Sequence, residues 1–149
     1  MIYDIIQSLD FFKGLNQLQI DEIVNMDAHF IYYDPGEVIV KEKDTSQAFY
    51  ILIKGTVSVK KGTFNTQIGK LYPGEFFGDF SFLTDTPRTA SVIADDVVIV
   101  IRVDRKMLSG LNIEIREKIK DRIIVDLIKR LERMNNEFIK HSVFTVHLD

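Results

Sequence analysis

The segment from Phe76 to Val92 contains residues whose types and spacing suit the binding of an anion. Gly78 lets the backbone approach a ligand closely, because no Cβ stands in the way. A short helix from about Asp79 to Thr84 is predicted, and its free N–H groups point back toward Gly78. Arg88 follows, and a returning strand can bring its planar guanidinium to the same anion. The residues alone leave an alternative about equally open, in which a helical turn and a kink at Pro87 carry a surface arginine.

The elements around this segment are predicted from periodicity. Asn16 and Gln19 form a capping-box pattern, so residues 1–27 are predicted as two short helices whose inward stripe is Leu18, Ile20, Ile23 and Val24. From residue 28 to 103 the period changes to two, with turn signals between short strands. The predicted class is mainly β with flanking helices: an antiparallel, jelly-roll-like β-roll or double-stranded β-helix barrel. Lys54-Gly55 is predicted to close a hairpin.

The C-terminal third is predicted to be helical. Asp104 suits an N-cap for a short helix through Leu111, and a longer helix is predicted from about Ile113 to Phe138, within a helical region 104–140. An a/d seam on it consists of Ile124, Leu127, Leu131, Met134 and Phe138. Packing of this helix on its own barrel is the equally weighted alternative to dimerisation. Residues 141–149 are left open between a strand and a loose tail.

The residues Phe77-Gly78-Asp79 and Pro87-Arg88-Thr89-Ala90-Ser91-Val92 resemble, at matching spacing, the phosphate-binding cassette of cyclic nucleotide-binding domains. That family includes the catabolite activator protein, the regulatory subunit of cyclic-AMP-dependent kinase and cyclic nucleotide-gated channels. Residues 35–39 and 50–57 also resemble its barrel segments. The similarity extends over about residues 8 to 138. It implies one domain, 1–149, with the cassette at 76–92. Lys43 differs from many relatives, which have glycine in that turn.

The resemblance also implies a ligand site. Arg88 and the N–H groups of Phe80 and Ser81 are expected to hold the cyclic phosphate. Asp79 takes the position of a family glutamate that accepts a hydrogen bond from the ribose 2′-hydroxyl, although its side chain is one methylene shorter. A plain helix N-cap is the alternative for Asp79. The implied ligand-binding residues are Gly78, Asp79, Phe80, Ser81, Arg88, Thr89 and Ala90.

The sequence is less specific about the base of the nucleotide and about the residues that would cover that base. Thr89 can contact the base or can serve as a β-branched strand residue, so it does not decide between cyclic AMP and cyclic GMP. We expect cyclic AMP rather than cyclic GMP as the ligand. The long helix offers a purine cap at Arg130, Arg133, Met134 and Asn135, and the alternative for each is an ordinary helix-face residue.

Composition excludes several other functions. The 149-residue chain has a net charge of −3 and no cysteine, so we expect neither nucleic-acid nor membrane binding and no thiolate chemistry. The longest apolar run, Val97 to Ile101, cannot span a bilayer, and the start lacks a secretion signal. His29, His141 and His147 lack metal-ligand spacing, so no metal is expected. Without a catalytic motif, we expect no enzyme. Without a secretion signal or a spanning segment, we expect a cytoplasmic location.

The sequence thus predicts a stand-alone cyclic nucleotide sensor that relays occupancy to a protein partner, or within a homodimer, through its C-terminal helix. A degenerate, non-binding scaffold of the same fold is one alternative. A transcription regulator like the catabolite activator protein is another alternative. It would lack a DNA-binding domain, since no basic recognition helix follows the long helix that ends at about Phe138.

Overall fold

The structure, a computed structural model, describes residues 2–9, 12–25 and 30–148. Contacts divide the chain into two compact units, Met1–Asn112 and Ile113–Asp149. The first unit contains the β-strands and four helices among the described residues, and the second is one long helix. The predicted cassette therefore lies wholly within the first unit.

Two short helices precede the strands, as predicted: α1 (Ile2–Ser8) and α2 (Gln17–Val24). The capping box at Asn16 is confirmed, because its side chain accepts a hydrogen bond from Gln19 N and the Gln19 side chain accepts one from Asn16 N. The prediction that Leu18 faces inward is wrong, since 79% of it is exposed. Ile20 and Ile23 are buried together with Gln19, because residues three and four apart share a helix face.

Eight strands form two antiparallel four-stranded sheets, which confirms the predicted fold class. The strands are β1 (Phe30–Tyr33), β2 (Val38–Val40), β3 (Ala48–Lys54), β4 (Val57–Lys61), β5 (Thr66–Leu71), β6 (Phe76–Phe77), β7 (Ser91–Ala94) and β8 (Val98–Asp104). One sheet has the order β1-β8-β3-β6 and the other β2-β7-β4-β5. Apolar residues from both sheets, among them Leu52, Val57 and Val100, form a shared buried cluster. Their burial places the core between the sheets.

The predicted hairpin at Lys54-Gly55 is wrong. Strand β3 pairs with β6 and β8, whereas β4 pairs with β5 and β7, so the chain changes sheets at this corner. Gly55 has φ +85°, and a Cβ on it would overlap the carbonyl oxygen of Val97. The corner thus packs against the turn before β8 rather than folding β4 back on β3. A turn signal identifies a reversal but does not identify the strand that pairs next.

Alternation along the strands separates two faces of the first sheet. Tyr50 and Leu52 of β3 and Phe77 of β6 belong to the cluster between the sheets, while Phe49 is fully buried on the other face. Tyr50 is directly opposite both Phe77 and Arg102 in the strand register. Aromatic and charged side chains therefore form one row across the sheet, on the face that also carries the core.

The cassette helix α3 spans Asp79–Thr84, as predicted. The two-residue strand β6 directly before it was not predicted, because so short a strand has no periodicity of its own. Helix α4 spans Arg105–Gly110, and Asp104 caps it by accepting a hydrogen bond from Met107 N at 2.8 Å, which confirms the predicted N-cap.

The second unit is helix α5, which spans Ile113–Leu148. It runs ten residues beyond the predicted end at Phe138, so residues 141–148 form neither a strand nor a loose tail. Ion pairs follow its surface, including Lys118 with Glu114 at 3.7 Å and Arg122 with Asp126 at 3.5 Å. Such pairs support a helix only modestly, by about 0.2–0.5 kcal/mol each.

Replacement of Lys43 by glycine is expected to stabilise the protein. Lys43 has φ +73°, a left-handed conformation that costs a residue with a Cβ about 1–2 kcal/mol. Glycine recovers this cost but loses more chain entropy on folding, about 0.5–1 kcal/mol, so we expect a net gain of about 0.5–1 kcal/mol. Thermal unfolding should show a rise in Tm of about 1–4 °C.

The matched control is Asn65→Gly. Asn65 has φ +49°, and asparagine tolerates this region well, so its replacement should give a smaller gain. An equal gain at both positions, or none at Lys43, would contradict the interpretation.

Candidate functional site

Gly78 begins the site. It is the residue before α3 and has φ +80°, in the left-handed region that favours glycine. A Cβ here would lie 2.8 Å from Arg88 Nη1 and 3.1 Å from the Ala48 carbonyl oxygen. The glycine predicted to allow close approach therefore does so, and the group that approaches it in this structure is the predicted arginine.

Arg88 is buried, with 3% of its surface exposed. Its Nη1 donates to the Gly78 carbonyl at 2.7 Å, and Nη2 donates to the Ala48 carbonyl and, at 3.4 Å, to Ser46 Oγ. The alternative of a surface arginine is thus wrong. Strand β3 and the residue before α3 hold the guanidinium at the cassette. Its role in binding an anion stays a prediction.

The Nε donor of the Arg88 guanidinium differs from its two Nη groups. Its Nε is buried and has no hydrogen-bond partner in the part of the chain that the structure describes. Burial is the main cause that lowers the pKa of Arg88. Four ionisable neighbours also influence that pKa: Tyr50, Asp44, Arg102 and Asp79. An unsatisfied buried donor costs about 1–3 kcal/mol, so an anion that accepted from Nε would be stabilised here.

The first turn of α3 contains the other predicted phosphate and ribose contacts. Asp79 is 6% and Ser81 3% exposed. Asp79 raises the pKa of Arg88, so the carboxylate and the guanidinium interact. Phe80 lies between Asp79 and Ser81 in the helix, and only its backbone is described. The structure therefore places Asp79 and Ser81 in the turn that follows Gly78, whose carbonyl accepts a hydrogen bond from Arg88.

The remaining predicted residues lie farther along the chain. Thr89 and Ala90 form the bend between Arg88 and β7, where Thr89 is exposed and Ala90 half-buried. The predicted purine-cap residues are all on α5. Among these four, Arg130, Arg133 and Met134 share one helix face by their spacing and Asn135 lies to its side. Their capping role stays a prediction.

Several groups at the site were not predicted. The Ala48 carbonyl and Ser46 Oγ hold Arg88, and a backbone carbonyl leaves no signal in a sequence. Tyr50 stacks on Phe77, with ring centroids 5.2 Å apart and planes at 13°. Arg102 could have been found, because it is a charged residue in the otherwise apolar alternation of β8. Its Nη1 lies 3.0 Å from Asp104 Oδ2.

In residues 2–9, 12–25 and 30–148, no group of three or more acidic or histidine side chains is arranged to hold a metal ion. Within the same described part of the chain, no helix combines the length and apolar character needed to cross a bilayer.

Comparison with known proteins relates the chain that carries this site to a known family. The family model for the cyclic nucleotide-binding domain matches residues 30–111, more than half of the chain. A cGMP-dependent protein kinase from Eimeria tenella is 34% identical over 104 residues, 68% of this chain and 10% of that protein. A cAMP-dependent protein kinase regulatory subunit from Dictyostelium discoideum is 32% identical over 87 residues, 54% of this chain and 27% of the relative.

Solved structures show the same fold. A structure described as "Sp-2Cl-cAMPS bound to PKAR CBD2" superposes with a TM-score of 0.70 at 26% identity, over 91% of this chain and 88% of that one. The curated relatives are longer, and the chain spans 10% and 27% of the length of the two named above. The matched residues 30–111 include both sheets, α3 and Arg88. The chain belongs to the cyclic nucleotide-binding domain family.

Proposed function

We propose that this chain is a regulatory sensor that binds a cyclic nucleotide, cyclic AMP in preference to cyclic GMP, without chemical turnover. The observation that carries the proposal is the buried Arg88: its Nη1 donates to the glycine that precedes α3, and its Nε has no hydrogen-bond partner among the residues that the structure describes. The regulatory subunit from Dictyostelium discoideum and the cyclic-AMP-analogue complex named above support the choice of ligand.

The chemistry of a cyclic phosphodiester fits Arg88. The phosphodiester carries one negative charge, which a largely apolar interior tolerates only if the charge is paired. Arg88 supplies the pairing charge, and its Nε supplies a donor that has no other partner within the described part of the chain. Backbone N–H groups of Phe80 and Ser81 are the further donors that we assign to the phosphate. In this proposal the phosphate accepts a hydrogen bond from Nε, so binding removes the free-energy cost of leaving this buried donor unsatisfied.

Signal output is proposed as a population shift. A ligand moves a two-state equilibrium only by its differential affinity for the two states. Contacts of the phosphate and ribose with the cassette are the differential contacts here, and α3, with Phe80, Phe82 and Leu83, is the element they act on. We assign the relay to α5, with a protein partner or a second copy of the chain as the receiver. Light scattering with and without nucleotide tests whether a second copy of the chain is bound.

A non-binding scaffold is the second candidate, and Asp79 is the observation that favours it. An aspartate at this position withdraws the acceptor from the ribose by about one bond length relative to glutamate. Calorimetric titration with cyclic AMP and with cyclic GMP separates the two candidates. Saturable heat with cyclic AMP at lower concentration than with cyclic GMP supports the sensor. Absence of heat with both nucleotides, for a protein that melts cooperatively, supports the scaffold.

Replacement of Asp79 by alanine is expected to weaken cyclic AMP binding by about tenfold to a hundredfold. A hydrogen bond to a charged acceptor contributes about 1.5–3 kcal/mol, and about 1.4 kcal/mol corresponds to a factor of ten. The ligand 2′-deoxy cyclic AMP removes the other partner of the same hydrogen bond. Calorimetry on both proteins with both ligands forms a double-mutant cycle.

The cycle gives a direct test of the ribose contact. If Asp79 accepts a hydrogen bond from the 2′-hydroxyl, removal of that hydroxyl from the ligand should cost little affinity in the Asp79→Ala protein. Additive losses would show that Asp79 acts elsewhere, for example as a cap of α3. Asp79→Glu is the conservative control and should bind at least as tightly as the parent protein.

A further inference from the structure

We propose that Arg105 is a positioning residue that connects the C-terminal end of the cassette helix α3 to the first turn of α4, so that a change in the cassette is passed to α4. The claim extends the proposed function and rests on it for the identity of the ligand. The connection itself can be tested without any nucleotide.

Three contacts converge on the Arg105 guanidinium. Nη2 donates to the Phe82 carbonyl at 2.7 Å and lies 3.2 Å from Asp85 Oδ1. The Cζ atom lies 5.1 Å from the centroid of the Phe82 ring. One planar group thus contacts a backbone carbonyl, a carboxylate and an aromatic face of the same short segment.

The end of α3 has no cation of its own. The last turn of the helix contains no basic residue, and Asp85, the C-cap, adopts a left-handed conformation with φ +57°. The last carbonyls of a helix lack partners within it and attract positive charge. Arg105 supplies that charge from a different element, because it is the first residue of α4.

The opposite side of α3 is fixed to the sheet. The Phe82 ring packs edge-on against Phe49 of β3, with centroids 5.0 Å apart. Phe82 therefore lies between a strand residue and the Arg105 guanidinium. A rotation of α3 that moves Phe82 either breaks the carbonyl and ring contacts of Arg105 or draws the Arg105 side chain along with it, since the planar guanidinium makes both contacts at once.

The first turn of α4 is also fixed on its inner side. Asp104 caps it through Met107 N at 2.8 Å and pairs with Arg102, which is opposite Tyr50 in the sheet. Arg105 follows directly, so the start of α4 contacts β8 through Asp104 and the cassette through Arg105. A displacement of the cassette then acts on a helix start that is already anchored.

The ion pair with Asp85 alone would not carry this argument. Both side chains are more than half exposed, and exposed pairs contribute little. The carbonyl contact and the nearly buried Phe82 ring, 4% exposed, supply the directional contacts. Lysine at this position would keep the charge over the ring but could not contact the carbonyl and the carboxylate with one fixed fork.

Hydrogen exchange measured by mass spectrometry over α3 and α4 tests the connection. The variants are Arg105→Ala and, as matched control, Lys106→Ala, which removes an exposed cation from the next position of the same helix. Without nucleotide, Arg105→Ala should speed exchange in α3 by about fivefold, and Lys106→Ala should leave it unchanged. With saturating cyclic AMP, the parent protein should change its exchange in both helices, whereas Arg105→Ala should change only in α3.

Equal exchange of α3 in Arg105→Ala and the parent protein would overturn the connection. So would an undiminished response of α4 to cyclic AMP in that variant. If the parent protein shows no response to nucleotide and no heat in calorimetry, the proposed function fails, and the nucleotide-free comparison still decides the role of Arg105. Should Arg105→Ala not fold, Arg105→Lys replaces it, with smaller changes in the same direction expected.

Discussion

Replacement of Arg88 by alanine is expected to weaken cyclic nucleotide binding by at least two orders of magnitude. Removal of one partner from a buried charge pair costs about 3–5 kcal/mol, because the remaining charge is left without a counterion. Arg88 is 3% exposed, and its Nε has no partner among the described residues, so a phosphate at this buried position would lose its counterion when Arg88 is removed. Calorimetric titration with cyclic AMP measures the loss directly.

The same substitution also removes structural hydrogen bonds, so its controls must separate binding from folding. Arg88 donates to the Gly78 and Ala48 carbonyls, and thermal melting will report what their loss costs. Arg88→Lys keeps the charge but loses the planar pair of donors, and we expect an intermediate affinity. Lys61→Ala removes an exposed charge far along the chain and should bind as the parent does. Unchanged affinity in a folded Arg88→Ala protein would overturn the assigned role.

Replacement of Gly55 by alanine is expected to destabilise the protein by about 1.5–4 kcal/mol. The left-handed backbone at φ +85° accounts for about 0.5–1 kcal/mol of this cost, once the larger chain entropy that glycine loses on folding is subtracted. The remainder comes from overlap, because the new Cβ would collide with the Val97 carbonyl and lie 2.7 Å from Asp96 Oδ1. Forcing extra atoms into a packed site costs about 1–3 kcal/mol. The backbone of the corner must then move, since a carbonyl cannot turn away as a flexible side chain can.

Gly62 gives a matched control for this experiment. Its φ of +84° is nearly the same, and a Cβ there would meet nothing within 4 Å. Gly62→Ala should therefore cost only the net conformational part, about 0.5–1 kcal/mol. Chemical denaturation of both variants isolates the overlap at Gly55 as the difference between them. Equal destabilisation at the two glycines would show that the contact with Val97 contributes nothing.

Local signals were sufficient for many elements of this chain. The capping box at Asn16, the N-cap at Asp104 and the helix Asp79–Thr84 were all predicted from a few neighbouring residues, because caps and short helices depend on contacts within one turn. Leu18 was misassigned for the opposite reason, since several apolar residues can lie on a helix and only packing selects the buried face. Helix α5 continues beyond Phe138 with no stop signal that the sequence made visible.

The sequence by itself determined the fold class, the family resemblance and the identity of the arginine at the site, because period-two strands, a glycine before a helix and the Pro-Arg pair are local patterns. The tertiary structure decided which strands pair across the corner at Gly55 and which groups hold Arg88. Pairing and burial depend on residues distant in the chain, such as Ala48, whose carbonyl accepts from the arginine forty positions later. Such contacts form only when the two sheets pack, so no stretch of sequence contains them.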